Sequence, residues 1–219
     1  MWNKLAETIG ALSLCAAIAA TSPAFGADLQ TWNTAEFTVL DEGRFRVDAL
    51  GQVRTRNLGT DAYDDRLGTQ IVAPVLPRVT LTGAFERRWV DAEDGGRFGE
   101  SRIFGGPKFQ ITRRPLKIEP SSVFERIFGS RGEPGFTRFR ETVDFERVRH
   151  GVSPFAAEQV AFRTDGPVWC RTQMGVRWRH PTGVSLEVGY QFEMRKSGGA
   201  WTPRHAIRTT FRFRKPHAG

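Results

Sequence analysis

The sequence predicts an all-β protein, a single antiparallel up-and-down transmembrane β-barrel of about ten strands, with eight or twelve strands as alternatives. Beyond residue 26, apolar and polar residues alternate with a period of two, the period with which side chains alternate between the two faces of a β-strand. Short turns and longer polar segments also alternate along the chain. No run of 18 apolar residues follows residue 26, so the pattern does not predict a transmembrane helix.

The first 26 residues are predicted to be a secretory signal peptide, which leaves residues 27–219 as the barrel domain. Lys4 precedes a short apolar stretch at residues 9–20, and the small residues Ala24 and Gly26 fit a cleavage site. The alternative is a buried N-terminal helix. With export, the expected location is the cell outer membrane of a Gram-negative bacterium.

The clearest strand pair lies near the end of the chain. Residues 184–194 place Val, Leu, Val, Tyr, Phe and Met on one face and polar residues or glycine on the other, and residues 170–179 repeat the pattern. The connecting sequence 180–183, His-Pro-Thr-Gly, is typical of a tight turn. The same alternation predicts further strands at residues 35–39, 45–54, 66–73, 78–90, 101–112, 137–148, 156–163 and 207–213.

The connections predict two different ends of the barrel. Residues 41–43, 74–77 and 181–183 are short turns, whereas 57–65, 91–99 and 196–203 are longer and polar. Short turns at one end and long loops at the other are typical of outer-membrane barrels. Residues 115–135 are compatible with a long loop, a short helix around 122–128 or part of another strand pair.

Alternation alone does not decide whether the apolar face meets lipid or fills a soluble core. Aromatic residues on the apolar faces favour a membrane barrel with aromatic girdles. The last strand, which carries Phe211 and Phe213 near the end of the chain, also favours a membrane barrel. The predicted girdle residues are Trp89, Trp178, Tyr190 and Phe213. Glu141 interrupts an otherwise apolar face. The alternative is a soluble periplasmic lipocalin-like binding barrel that buries the apolar face of residues 184–194.

The chain carries 32 Lys and Arg against 24 Asp and Glu, a net charge of +8. Because the arginines are spread over nearly every segment, the charge does not indicate a nucleic-acid partner. The expected partners are outer-membrane lipid and the outer-membrane assembly machinery, with a small solute or anion as a further candidate.

The polar faces are expected to line a narrow lumen, where buried charges must pair. Two interpretations remain open: salt bridges that plug a rigid barrel, and a basic constriction that selects anions. The predicted lumen-lining charged residues are Arg44, Arg46, Asp48, Arg54, Arg138, Arg140, Asp144, Glu146, Arg171, Arg177, Glu187, Glu193, Arg208 and Arg212.

Several short motifs follow one another along the chain: Leu29-Gln30-Thr31-Trp32-Asn33, Gln52-Val53-Arg54, Glu100-Ser101-Arg102, Arg138-Phe139-Arg140-Glu141, residues 171–177 and Gly189-Tyr190. Taken in this order, they resemble the bacterial family called domain of unknown function 2490. The resemblance covers most of residues 28–214 and implies an outer-membrane β-barrel with no assigned activity, so it brings no catalytic residues.

No enzyme is predicted, and no catalytic, cofactor-binding or metal-binding residues are assigned. The four histidines have no metal-type spacing with Cys, Asp or Glu. A second alternative is an outer-membrane lipid-modifying hydrolase in which His205 pairs with Ser185 or Ser197. No nucleophile motif surrounds either serine, and His205 is expected to form hydrogen bonds in the lumen instead.

Overall fold

The structure, a computed structural model, describes most of the chain beyond residue 28. The predicted signal peptide, residues 1–26, therefore lies outside the described residues. The described ranges are 29–56, 61–91, 96–129, 135–148, 151–164, 166–197 and 199–214.

All regular structure in these ranges is β-structure, as the period-two alternation predicts. No helix in the described part of the chain is long and apolar enough to cross a bilayer. Twelve strands follow one another: β1 (Leu29–Asp41), β2 (Arg46–Arg56), β3 (Asp61–Leu76), β4 (Val79–Asp91), β5 (Arg97–Phe109), β6 (Ile111–Arg113), β7 (Leu116–Phe128), β8 (Phe136–Arg147), β9 (Val152–Arg163), β10 (Gly166–Arg179), β11 (Val184–Ser197) and β12 (Ala200–Phe213).

The strands close into a barrel. Each wall strand pairs antiparallel with its neighbour in sequence, and the short β6 pairs only with β7. The wall of the described barrel thus has eleven strands. In an up-and-down order, an odd number makes the first and last strands run in the same direction, so β1 and β12 close the wall in parallel, from Leu29 opposite His205 to Phe37 opposite Phe213. The predicted antiparallel barrel is confirmed apart from this parallel closure.

The eleventh wall strand lies in the segment that the sequence left open. Residues 116–128 form β7 instead of a loop or helix, and they pair with β5 on one side and β8 on the other. Leu116 and Ile118 face outward, whereas Lys117 and Glu119 face the lumen, where an ion pair joins them. The period-two rule therefore holds here too, although Pro120 and Ser122 weaken its apolar half.

Two ends of the barrel can be distinguished. At the end that we call the turn end, the connections are residues 42–45, 77–78, 114–115, 148–151 and 180–183. At the opposite end, the loop end, the strands extend well into the segments expected to be long loops: β3 begins at Asp61, β5 at Arg97 and β12 at Ala200. The difference in length between the two ends is therefore smaller than the sequence predicts, because backbone pairing between the strands continues from Arg56 opposite Asp61 to Asp91 opposite Arg97.

The exposure of side chains is inverted relative to a water-soluble barrel. Outward-facing apolar residues are among the most exposed, with Val39 at 69%, Phe124 at 61% and Leu67 at 60% of their surface. Inward-facing carboxylates are buried, with Asp48 at 0% and Asp64 at 1%. The apolar face of residues 184–194 lies on the outside of the wall, opposite to the position that a lipocalin-like core would require, although Phe192 and Met194 of this face are only 4% and 8% exposed.

The predicted aromatic girdle is present only in part. Trp89 lies at the loop end of β4, and Trp178 and Phe213 lie at the turn end, where Phe213 stacks on Phe37 with ring centres 4.9 Å apart. Tyr190 lies in the middle of β11 and is not a girdle residue.

Candidate functional site

The candidate site is the charged lumen. The structure places nearly all the predicted lumen residues on inward faces of the strands; Arg44 is the exception, because it lies in the exposed turn between β1 and β2. The inward-facing residues are Arg46, Asp48, Arg54, Arg138, Arg140, Asp144, Glu146, Arg171, Arg177, Glu187, Glu193, Arg208 and Arg212.

Toward the turn end, Arg177 connects three strands. It bonds Glu146 of β8 at 2.7 Å and Glu187 of β11 at 2.8 Å, and it lies 3.4 Å from Asp144. Glu146, almost fully buried, also accepts hydrogen bonds from Arg179. A buried carboxylate is stable in this position only because opposite charges surround it.

Asp48 is a second fully buried carboxylate in this half of the barrel. Its two oxygens accept hydrogen bonds from Nε of Arg46 at 2.9 and 2.8 Å. Thr38 donates at 2.8 Å and Gln70 at 3.3 Å, so donors from β1, β2 and β3 converge on one side chain.

Asp64 is the centre of the loop-end half. Arg88 donates to both carboxylate oxygens at 2.9 and 2.8 Å, and Arg66 donates to both at 3.1 Å. The guanidinium of Arg54 lies 3.3 Å from the same carboxylate. Three guanidinium groups on β2, β3 and β4 thus share one carboxylate that is 1% exposed.

The network continues along the wall. Glu100 accepts hydrogen bonds from Arg88 at 3.0 Å and from Arg102, and Glu86 lies 3.7 Å from both Arg66 and Arg102. Three of these ion pairs join neighbouring strands and so help to hold the wall together, whereas the pair of Arg102 with Glu100 lies within β5.

Two further carboxylates complete this half. Glu125 of β7 bonds Arg138 and lies 3.0 Å from Arg140. Glu193 of β11 accepts from Arg171 at 3.1 and 2.5 Å.

Two tryptophans hold the arginines in place. The guanidinium of Arg54 lies 3.5 Å from the ring centre of Trp32, and that of Arg171 lies 4.6 Å from the ring centre of Trp169. Trp32 is 2% exposed, and its indole nitrogen donates to Gln30 at 3.0 Å. Arginine stacks readily on aromatic faces, and stacking fixes the plane of the guanidinium group.

Sequence reasoning missed much of the loop-end half, although a signal was present. Three consecutive strands carry an acidic and a basic residue two positions apart, which places both on one face. The lumen charges missed in this way are Asp64, Arg66, Glu86, Arg88, Glu100 and Arg102.

Two cavities lie within the lumen of the described barrel. The larger cavity, which we call the vestibule, lies toward the turn end, has a volume of about 760 Å³ and is lined by residues such as Arg46, Lys117, Asp144 and Arg212. The smaller one, the arginine chamber, lies toward the loop end and has a volume of about 60 Å³. Its lining residues are Arg54, Arg66, Arg88, Arg102, Arg138, Arg140, Trp169, Arg171, Glu193 and Arg195.

Two carboxylates on the outward face lie away from the strand ends and accept hydrogen bonds from neighbouring hydroxyls. Glu141 faces outward, as the sequence indicates, and the hydroxyl of Ser122 on β7 donates to its oxygens at 3.0 and 2.8 Å. Glu158 of β9, which the sequence reading missed, receives a hydrogen bond from Thr172 of β10 at 3.0 Å. The neighbouring hydroxyls satisfy these acceptors without placing a cation on the apolar surface.

The hydrolase alternative lacks its catalytic pair. His205 lies on the outward face beside Phe192, with Nδ1 hydrogen-bonded to the hydroxyl of Tyr190, so it is not a lumen residue. Ser185 faces the lumen on the other side of the wall. The side chain of Ser197 lies outside the described residues. Within the described ranges, no group of three His, Cys, Asp or Glu side chains is arranged to hold a metal ion.

Comparisons with known proteins give no family. No family model matches the chain, so the resemblance to domain of unknown function 2490 stays a prediction, and no curated protein matches either. The chain is similar to the β domain of the Bordetella autotransporter BrkA, with 12% identity over 83% of this chain and 94% of that one and a TM-score of 0.47.

Two further solved structures, both from Pseudomonas aeruginosa, are similar to the chain. OccK5 (OpdH) has 9% identity over 80% of this chain and 83% of that one, with a TM-score of 0.34. OccK11 (OpdR) has 11% identity over 79% and 80%, with a TM-score of 0.31. Similarity at this level assigns no substrate or activity to the chain.

Proposed function

We propose that the chain is a β-barrel of the bacterial outer membrane with a narrow, charge-filled lumen and a structural or passive transport role. The observation that supports this is the inverted exposure: apolar side chains such as Val39 and Leu67 point out, while Asp48, Asp64 and Glu187 are buried inside. In water this arrangement would expose a continuous apolar surface, whereas in a bilayer it places the apolar side chains against lipid.

The strand lengths agree with this proposal. Most wall strands have 11–14 residues. At the tilt usual in membrane barrels, about 9–11 residues suffice to cross the hydrocarbon core of a bilayer. The outer membrane is the expected compartment, because bacterial transmembrane barrels are found there and because the sequence predicts an export signal at residues 1–26.

Fractionation tests the location. We expect the full-length protein to sediment with outer membranes, to need detergent for extraction, and to migrate faster on a gel before boiling than after it. Release into the periplasmic fraction without detergent, or a single boiled-type band from purified outer membranes, would overturn the proposal.

A passive pathway is the second part of the proposal, and the vestibule supports it. The vestibule has a volume of about 760 Å³, whereas the arginine chamber has about 60 Å³, so a solute crossing the lumen would meet the least free space among the arginines. In planar bilayers we expect either no conductance or a small conductance selective for anions. A large, non-selective conductance would contradict a charge-filled lumen.

A further inference from the structure

The arginine chamber contains more positive than negative charge. Eight arginines and one carboxylate line it. Four more carboxylates pair with these arginines without lining the chamber. In the described part of the barrel, five acidic side chains therefore accompany the eight arginines of the chamber. The five carboxylates are Asp64, Glu86, Glu100, Glu125 and Glu193.

The excess charge can be assigned to particular side chains. Asp64 is shared by three arginines and Glu125 by two, so neither neutralises its partners. Among the described residues, Arg195 forms no ion pair. Nε of Arg140 is buried without a hydrogen-bond partner. Unpaired donors and uncompensated cations therefore face the same enclosed space.

Crowded guanidinium groups in a lumen are costly unless an anion accompanies them. The chamber has room for a small anion. Its volume is about 60 Å³, several times the roughly 10–15 Å³ that a single water molecule needs. Stacking of Arg171 on Trp169 fixes the plane of one of the donors in advance. Planar guanidinium forks match the spacing of oxygens in carboxylate and phosphate groups.

We propose that the arginine chamber is a binding site for a small multivalent oxyanion of the phosphate class. The inference rests on the proposed barrel, because the chamber exists only when the wall is closed, and it adds the site and ligand class. The donors come from Nε of Arg140, which has no hydrogen-bond partner, and from Arg195, which forms no ion pair among the described residues. The small volume admits a free oxyanion and excludes a lipid headgroup with its glycerol.

The test uses the full-length barrel, folded in detergent, with inorganic phosphate as the probe. Titration calorimetry at low ionic strength is expected to show saturable phosphate binding, and chloride at equal ionic strength is expected to give none. Phosphate should also raise the temperature at which the folded gel band disappears. This second measurement needs no variant.

Arg195→Gln is the informative variant, because Arg195 has no ion pair in the described residues and its loss leaves no carboxylate unpaired. We expect phosphate binding to weaken about tenfold or more, the value of a charge-assisted hydrogen bond. Arg44→Gln removes the same charge from the exposed β1–β2 turn and is expected to leave binding unchanged.

Two outcomes would overturn the inference while leaving the proposed barrel intact. One is a correctly folded, heat-modifiable protein that shows no saturable phosphate binding. The other is an equal loss of binding in Arg44→Gln and Arg195→Gln, which would indicate attraction by net charge and no defined site. Failure to find the protein in outer membranes, by contrast, would contradict the proposed function itself.

Discussion

Asp64→Asn is the sharpest test of how the barrel is stabilised. The substitution keeps the size of the side chain, removes its charge and converts one acceptor oxygen into a donor group. Arg54, Arg66 and Arg88 then face one another without the carboxylate that all three share at 2.8–3.3 Å. Because Asp64 is 1% exposed, solvent cannot replace the lost interaction.

The expected effect is large. Removing one partner of a buried ion pair costs about 3–5 kcal/mol, which corresponds to a fall of roughly two to four orders of magnitude in the folding equilibrium constant. Reversible urea unfolding in lipid vesicles, followed by tryptophan fluorescence, measures this loss. A double variant with Arg88→Gln is expected to lose less than the sum of the two single variants, because the two residues interact directly.

Asp65→Asn is the matched control. Asp65 is the next residue, points to the opposite face and pairs with Arg97 where both side chains are substantially exposed. Exposed pairs contribute about 0–1 kcal/mol, so this variant is expected to unfold almost as the unmodified protein does. If Asp64→Asn were no more destabilising than Asp65→Asn, the paired charges would not hold the barrel together.

Three further predictions concern the wall. Glu141→Leu is expected to stabilise the barrel in vesicles by about 1 kcal/mol, because it removes a carboxylate from the lipid-facing surface; destabilisation would show that its bond from Ser122 matters more. Val188→Arg is expected to cost about 2–4 kcal/mol, because Val188 faces outward two residues from the middle of β11, and an unchanged urea midpoint would contradict an outward, lipid-facing β11. Gly106→Val is expected to abolish the heat-modifiable band, because its Cβ would overlap the carbonyl oxygen of Ser122, and normal folding would contradict the close approach of β5 and β7.

The fold could be predicted largely from the alternation, because a two-residue period fixes which face each side chain occupies without reference to distant residues. The strand count was predicted only approximately, as about ten against eleven in the wall. Residues 116–128 carry Pro120 and Ser122 on the outward face, which hide the apolar half of the pattern, and pairing with β5 and β8 imposes the strand. Similarly, the sequence does not show that β3 continues to Asp61, because that extension depends on pairing with β2 near Arg54.

The lumen could be predicted only as a set of inward-facing charges. Which charges meet depends on register: Arg177 reaches Glu146 two strands away, and no spacing along the chain reveals that contact. The position of His205 also could not be predicted from the sequence. A polar ring in an apolar strand was expected inside, yet the register with Phe192 and the bond to Tyr190 place it outside.

The basic composition and the barrel architecture have one physical explanation. A net charge of +8 spread over nearly every segment would be unusual for a surface that binds a single polyanion, because such surfaces gather their charge on one face. Closing the wall concentrates the arginines instead, since alternate residues of every strand converge on one axis. The carboxylates converge as well, but they are fewer in the chamber. There, Arg195 forms no ion pair among the described residues and Nε of Arg140 has no hydrogen-bond partner. A barrel with this interior is expected to be more stable with a bound oxyanion than without one. Replacing chloride by phosphate at constant ionic strength is therefore expected to raise the free energy of unfolding, and this rise measures how strongly the paired charges of the lumen depend on an anion in the chamber.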